Sequence, residues 1–93
     1  MIFSCLLSTS AFAVSRAEIC TLRSRFIENF ARSRDVGSSE KQTINETKKQ
    51  LKMLFPKVAA PDMTPYIKMV YALPNVTPER FRRVAETSCL NGD

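Results

Sequence analysis

The chain has 93 residues, of which 44% are hydrophobic and 25% charged; 14 Lys and Arg against 9 Asp and Glu give a formal net charge of +5. That length holds one domain at most, with a small core, and the composition excludes wholesale disorder. The absence of histidine removes the commonest general base and the commonest metal ligand. Two glycines and scattered β-branched residues favour helices over a sheet with many tight turns. The positive charge favours an anionic neighbour such as nucleic acid, a lipid head-group surface or an acidic protein face. The basic residues are nevertheless spread along the chain and form no dense run.

Residues 1–13, MIFSCLLSTSAFA, carry no charge. A short apolar run is followed by Ala11-Phe12-Ala13, whose small residues suit a signal peptidase, so the segment predicts a secretory signal cleaved after Ala13. Such signals usually run to about 15–30 residues with a positive start. No Lys or Arg precedes Arg16, and the expectation is a signal whose true start lies upstream of Met1. An apolar arm packed on the domain is the alternative. The run is too short to span a membrane, which takes about 20 apolar residues. Cleavage leaves residues 14–93 as a single helical domain, periplasmic or secreted, and reduces three cysteines to Cys20 and Cys89. An even count in an exported chain predicts a disulfide between them. Closing a loop of that length contributes about 4 kcal/mol in the chain-entropy model. Two cysteines without histidine do not make an ordinary zinc site.

The expected fold is all-α, four short helices with the first and last linked by that disulfide. The spacing predicts a first helix over residues 16–34, with Ile19, Leu22, Phe26, Ile27 and Phe30 on one face and Cys20 beside it. Arg16, Arg23, Arg25, Arg32 and Arg34 occupy much of the remainder, and Glu28 is placed to pair with Arg32 and Arg25. Gly37 is placed to end the helix in a left-handed conformation. Ser39 with Gln42 reads as a capping box for a second helix over 40–55. The apolar face of that helix is thin: Ile44, Leu51, Leu54 and Phe55. Lys41, Lys48 and Lys52 share a face, with Lys49 beside it.

Pro56 stops the second helix, and a linker anchored by Val58 and Met63 follows. Thr64-Pro65 reads as a cap and first turn for a third helix over 65–73. This helix is apolar nearly all round and so is expected to be the most buried, with the Tyr66 and Tyr71 hydroxyls at its edge. Thr77-Pro78-Glu79 repeats the start signal for a fourth helix over 78–90. Phe81, Val84, Ala85 and Cys89 lie on one face, and Glu79 is placed to pair with Arg83 on the other. Asn91-Gly92 is the stop. Asn45-Glu46-Thr47 and Asn75-Val76-Thr77 match the glycosylation acceptor pattern, but no other feature of the chain points to a eukaryotic secretory route.

No catalytic constellation is present. A serine or cysteine nucleophile lacks its base, and the glutamates are placed on exposed faces beside basic residues. Gly37 and Gly92 are isolated, so no phosphate-cradling loop exists. The phenylalanines fall on core faces rather than among a basic patch, which argues against nucleic-acid binding. No cofactor is expected. The only candidate contacts for a ligand are cationic: Lys41, Lys48, Lys49 and Lys52 on the second helix and Arg80, Arg82 and Arg83 on the fourth.

An Ala-Phe-Ala signal end, an early cysteine, four short helices and a cysteine in the last helix together resemble small exported all-α bacterial proteins with one disulfide. At this coarse level the chain is similar to the HdeA-type acid-stress periplasmic chaperones and to periplasmic immunity proteins that block toxins. The chaperones' cysteines lie further inside their chain, so no functional residue carries over. The expected function is therefore a non-enzymatic interaction module that binds another protein. The alternatives are an acid- or stress-activated chaperone and a basic protein that docks on an anionic surface such as a membrane.

Overall fold

The computed structural model describes residues 15–57 and 61–92. They form four helices, α1 (Arg16–Asp35), α2 (Glu40–Leu54), α3 (Thr64–Ala72) and α4 (Pro78–Leu90), and among the described residues there is no strand. A Cys20–Cys89 disulfide joins the start of α1 to the end of α4, so the all-α, first-to-last arrangement is as expected. The expected signal, residues 1–13, and the Val58 anchor lie outside the described residues.

Local chemistry sets the helix ends. Ser15, Ser39 and Thr77 each hold an extended backbone, and their hydroxyls accept from the N–H groups of Glu18, Gln42 and Arg80 at 3.1, 3.1 and 3.2 Å. Gly37, at φ +97°, turns the chain out of α1. Its N–H donates to the Arg34 carbonyl and the Ser38 N–H to the Ser33 carbonyl, at 3.1 and 3.0 Å, which satisfies carbonyls the helix leaves open. The start of α3 differs from expectation. Thr64 is already helical, and Asp62 Oδ1 accepts the Thr64 N–H at 3.0 Å. That backbone hydrogen bond, then the Thr64 side chain and the charge of Lys48, hold the Asp62 carboxyl below its ordinary value.

The core gathers on α1. Ile27, Phe30 and Ala31 meet Leu51 of α2, Ile67 and Val70 of α3 and Phe81 of α4, with Met63 closing one end. The first helix touches each of the other three. By contrast α3 and α4 both lie against α1, yet their backbones do not come within 8 Å of one another, and neither do those of α2 and α4.

Three expectations about the core are corrected. On α1 the inward residues are Cys20, Ser24, Ile27, Phe30 and Ala31, whereas Ile19 and Leu22 are 46% and 56% exposed. The disulfide sets this rotation: Cys20 has to face α4, and Ile19 then points roughly 100° away around the helix. Ser24, fully buried, is small enough to let α4 approach and returns its hydroxyl proton to the Thr21 carbonyl at 2.8 Å. On α2 the inward residues are Thr43, Thr47 and Leu51 at four-residue steps, while Leu54 is exposed. Thr43 is tolerated inside because its hydroxyl lies 2.8 Å from that of Tyr71. The one phenolic proton goes to the Ser38 carbonyl at 2.7 Å, so Thr43 donates to the Tyr71 oxygen. Finally, α3 is not wholly buried: Ile67 and Val70 are inside, but Met69 and Leu73 stand exposed.

Candidate functional site: a cationic-rimmed apolar groove

The two arginines at the ends of α1 brace the other helices. Arg34 is only 9% exposed along its side chain. Its Nη1 donates to the carbonyls of Val70 and Leu73, both at 3.0 Å, and Nη2 to that of Val76 at 2.9 Å. It thereby satisfies the last carbonyls of α3 and the turn into α4, where a cation also meets the negative end of the helix dipole. Asp35 takes up its remaining donors at 2.8 and 2.9 Å, and the guanidinium lies 5.9 Å from the Phe81 ring centre. At the opposite end Arg16 donates to the Cys89 carbonyl from Nη2 and Nε, at 3.1 and 3.3 Å, and so caps α4.

Between these braces α1 and α4 run antiparallel, and the two sides of their seam differ. One side is a polar ladder: Ser24 to Glu86 at 3.4 Å, Glu28 to Arg82 at 3.6 Å, and Arg32 to both Glu28 at 2.6 Å and Glu79 at 3.2 Å. The Glu28–Arg32 pair is as expected. The expected Glu79–Arg83 and Glu28–Arg25 pairs are replaced by contacts across the seam, because the disulfide register brings α4 carboxylates and guanidiniums opposite α1. The hydrogen bond that Arg32 donates to Glu28, ahead of the charges of Glu28 and Glu79, raises the Arg32 pKa further above its already high value.

The other side is a groove enclosing about 380 Å³. It lies where α3 and α4 both rest on α1 with their Cα atoms more than 8 Å apart. Ile27 and Phe81 form its floor; Tyr66 and Met69 of α3 with Leu73 just past its end make one wall; and Val84 with Ser88 the α4 wall. Arg23 from α1 and Arg80 from α4 also line it, and no carboxylate does. Met69, Leu73 and Val84 are 38%, 46% and 56% exposed, so the groove opens to solvent. The exposed Ile19 lies on the same flank of α1 as Arg23, by helical position, and lengthens its apolar edge, whereas Leu22 lines a separate shallow cleft with Glu18, Thr21 and Arg25.

The residues singled out from the sequence fall as follows. Cys20 and Cys89 are joined. Lys41, Lys48, Lys49 and Lys52 are all exposed on α2. Lys48 and Lys52 flank a shallower cleft of about 270 Å³ that also holds Asp62. Arg80, Arg82 and Arg83 are exposed on α4: Arg82 enters the ladder, Arg80 the groove, and Arg83 lines a shallow cleft that shares Arg80, Val84 and Ser88 with the groove. Because α2 and α4 do not touch, the lysine and arginine sets do not merge into one basic face. The groove itself was missed apart from Arg80. Its available signals were an α3 apolar all round and Arg23 set on the apolar flank of α1.

Among the described residues no group of three or more Cys, Asp or Glu is placed to hold a metal ion, and no helix is long and apolar enough to cross a membrane. No family model matches the chain, and no curated protein or solved structure matches it.

Proposed function

We propose that this is a small, non-enzymatic, exported protein that works by binding another protein, and that the groove between α1, α3 and α4 is where it binds. The groove carries the reading. A domain of this size that leaves Met69, Leu73 and Val84 exposed side by side forgoes burial it could have used for its own stability, and contiguous apolar patches on small proteins usually mark interaction sites. The Cys20–Cys89 bond supports export, since such bonds persist in oxidising compartments. Cleavage after Ala13 into the periplasm or medium belongs to the same proposal. N-terminal sequencing with intact mass of the exported chain tests that part: the expected product starts at Val14 and weighs two hydrogens less than its reduced form.

The binding part is tested by placing a photo-crosslinking side chain at Met69 or at Lys49 in the exported protein. Crosslinks from Met69 that are absent from Lys49, and that vanish in a Val84→Asp background, are the expected outcome. Equal labelling from both positions would show that the groove has no special role. The same exposed apolar residues favour a second reading, an acid- or stress-activated chaperone. It predicts that ANS fluorescence and protection of an aggregating client both rise on acidification; a domain whose near-UV spectrum and ANS signal do not change with pH excludes it.

A further inference from the structure

The chemistry of the groove narrows the class of partner. We infer that its occupant is an acidic amphipathic helix, laying apolar side chains along Ile27, Phe81, Met69 and Val84 with carboxylates against Arg23 and Arg80. This rests on the proposal that the groove binds protein, and it specifies what kind.

Shape argues for a helix. The trough lies between two helices that share a neighbour without meeting, and a third helix is the element that fills such a space, with anchors at i, i+3 or i+4, and i+7. The flank of α1 that borders the groove, from Ile19 to Ile27, rises about 12 Å at 1.5 Å per residue. Two to three turns of a partner would cover it.

Charge argues for acid. Every carboxylate of the α1–α4 pair that lies in the ladder is turned away from the groove, where Glu28 and Glu79 are held by Arg32 and Arg82. The groove's own lining contains two guanidiniums and no carboxylate, and among the described residues neither Arg23 nor Arg80 is in an ion pair. A basic helix would bring like charges together as the groove is desolvated; an acidic one is matched. Residues 1–13 of the chain are uncharged and leave both arginines unmatched.

The test uses the full oxidised chain and three synthetic peptides of about four helical turns. All carry leucines at i, i+4 and i+7. One is flanked by glutamates and one by lysines, and the third is the glutamate peptide broken by a central proline. Binding is read by fluorescence anisotropy, and the site by amide shifts in NMR. The glutamate peptide is expected to bind about tenfold more tightly than the lysine peptide, the effect of two exposed ion pairs. That preference should shrink with added salt, the amides of Arg23, Met69 and Arg80 should move, and the proline peptide should lose binding. In Arg23→Glu/Arg80→Glu, checked for native circular dichroism, the preference should reverse.

Equal binding of the glutamate and lysine peptides in the groove overturns the acidic class and leaves the protein-binding reading standing. Equal binding of the helical and proline-broken peptides overturns the helical class in the same way. Amide shifts confined to the α2 lysines, or a groove already filled by a second copy in sedimentation at the same concentration, overturn the inference about the occupant altogether. Failure of the groove reading itself shows separately, as equal crosslinking from Met69 and Lys49.

Discussion

The two sides of the α1–α4 seam are built from the same pair of helices and end differently. On one side Glu28 and Glu79 are paired with Arg32 and Arg82, and Glu86 lies 3.4 Å from the Ser24 hydroxyl. On the other, Ile27, Phe81 and Val84 line a trough whose cations have no counter-charge in it. The difference arises from the third helix. It packs on α1 on the groove side only, with its Cα atoms more than 8 Å from those of α4, so that flank keeps an open trough while α1 and α4 close the other with their own side chains. A polar ladder sets register at little cost, because exposed ion pairs contribute little to stability. An open apolar flank costs burial, and it is retained usefully only where something else covers it.

Breaking both sides at once should have the largest effect. Cys20→Ser/Cys89→Ser releases a bond that spans 69 residues of sequence, and the stability lost should be about 4 kcal/mol. Typical domains have about 5–15 kcal/mol in total, so the double variant should lose roughly a quarter to four-fifths of the parent's urea midpoint. A midpoint unchanged by the variant or by reductant would show that packing alone holds the seam.

Arg34 comes next, because it secures the α3 side of the trough. Arg34→Met keeps the length of the stem but removes the guanidinium from the Val76 carbonyl and from those of Val70 and Leu73, which keep only the backbone N–H groups of Leu73 and Val76. A loss of about 2–4 kcal/mol is expected, since these are hydrogen bonds from a buried charge. Amide exchange should quicken first in α3 and in the turn before α4. A uniform quickening across all four helices would contradict its local role.

On the ladder side, Glu28→Gln removes both of its ion pairs. It should lower the melting temperature only slightly, and by less as salt is raised. Peptide binding in the groove should be unchanged. A large drop, or altered groove binding, would mean that the two flanks are coupled.

The smallest effect concerns Asp62, at the far end of α3. Its carboxyl is held below its ordinary value of 3.8, chiefly by the Thr64 N–H. A depressed carboxylate stabilises the fold above its unfolded value, and that contribution fades as the pH falls through the folded one. Asp62→Ala should therefore melt slightly below the parent at neutral pH, and the gap should close in acid below 3.8. A gap that persists at low pH would show that the N–H bond, not the charge, matters.

Much of the local structure was legible in the residues. Ser39 and Thr77 cap because a hydroxyl one residue before a helix reaches the N–H three residues on. Gly37 and Gly92 end helices because both sit at positive φ, which side chains resist. The pairing of Cys20 with Cys89 followed from counting. These are short-range rules or simple arithmetic, and nothing else in the fold has to be known for them to act.

Other features depended on which helix lies beside which. Periodicity marked Ile19 and Leu22 as apolar but could not say that the disulfide would turn them outward. Nor could it say that Thr43 would be accepted inside by a tyrosine 28 residues away. Arg34 and Arg16 look from the sequence like surface cations; each caps a helix whose end reaches it only after folding, from 36 to 42 residues away for one and 73 for the other. The groove is of this second kind. Its residues are scattered from Arg23 to Ser88, and they form one surface only because α3 and α4 both pack on α1 and stop short of each other. The sequence by itself determined four helices, their ends and the covalent tie between the first and the last, because those rest on neighbours along the chain and on the cysteine count. The tertiary structure alone decided which apolar residues stay exposed and which cations stand beside them, because exposure is a property of what packs where.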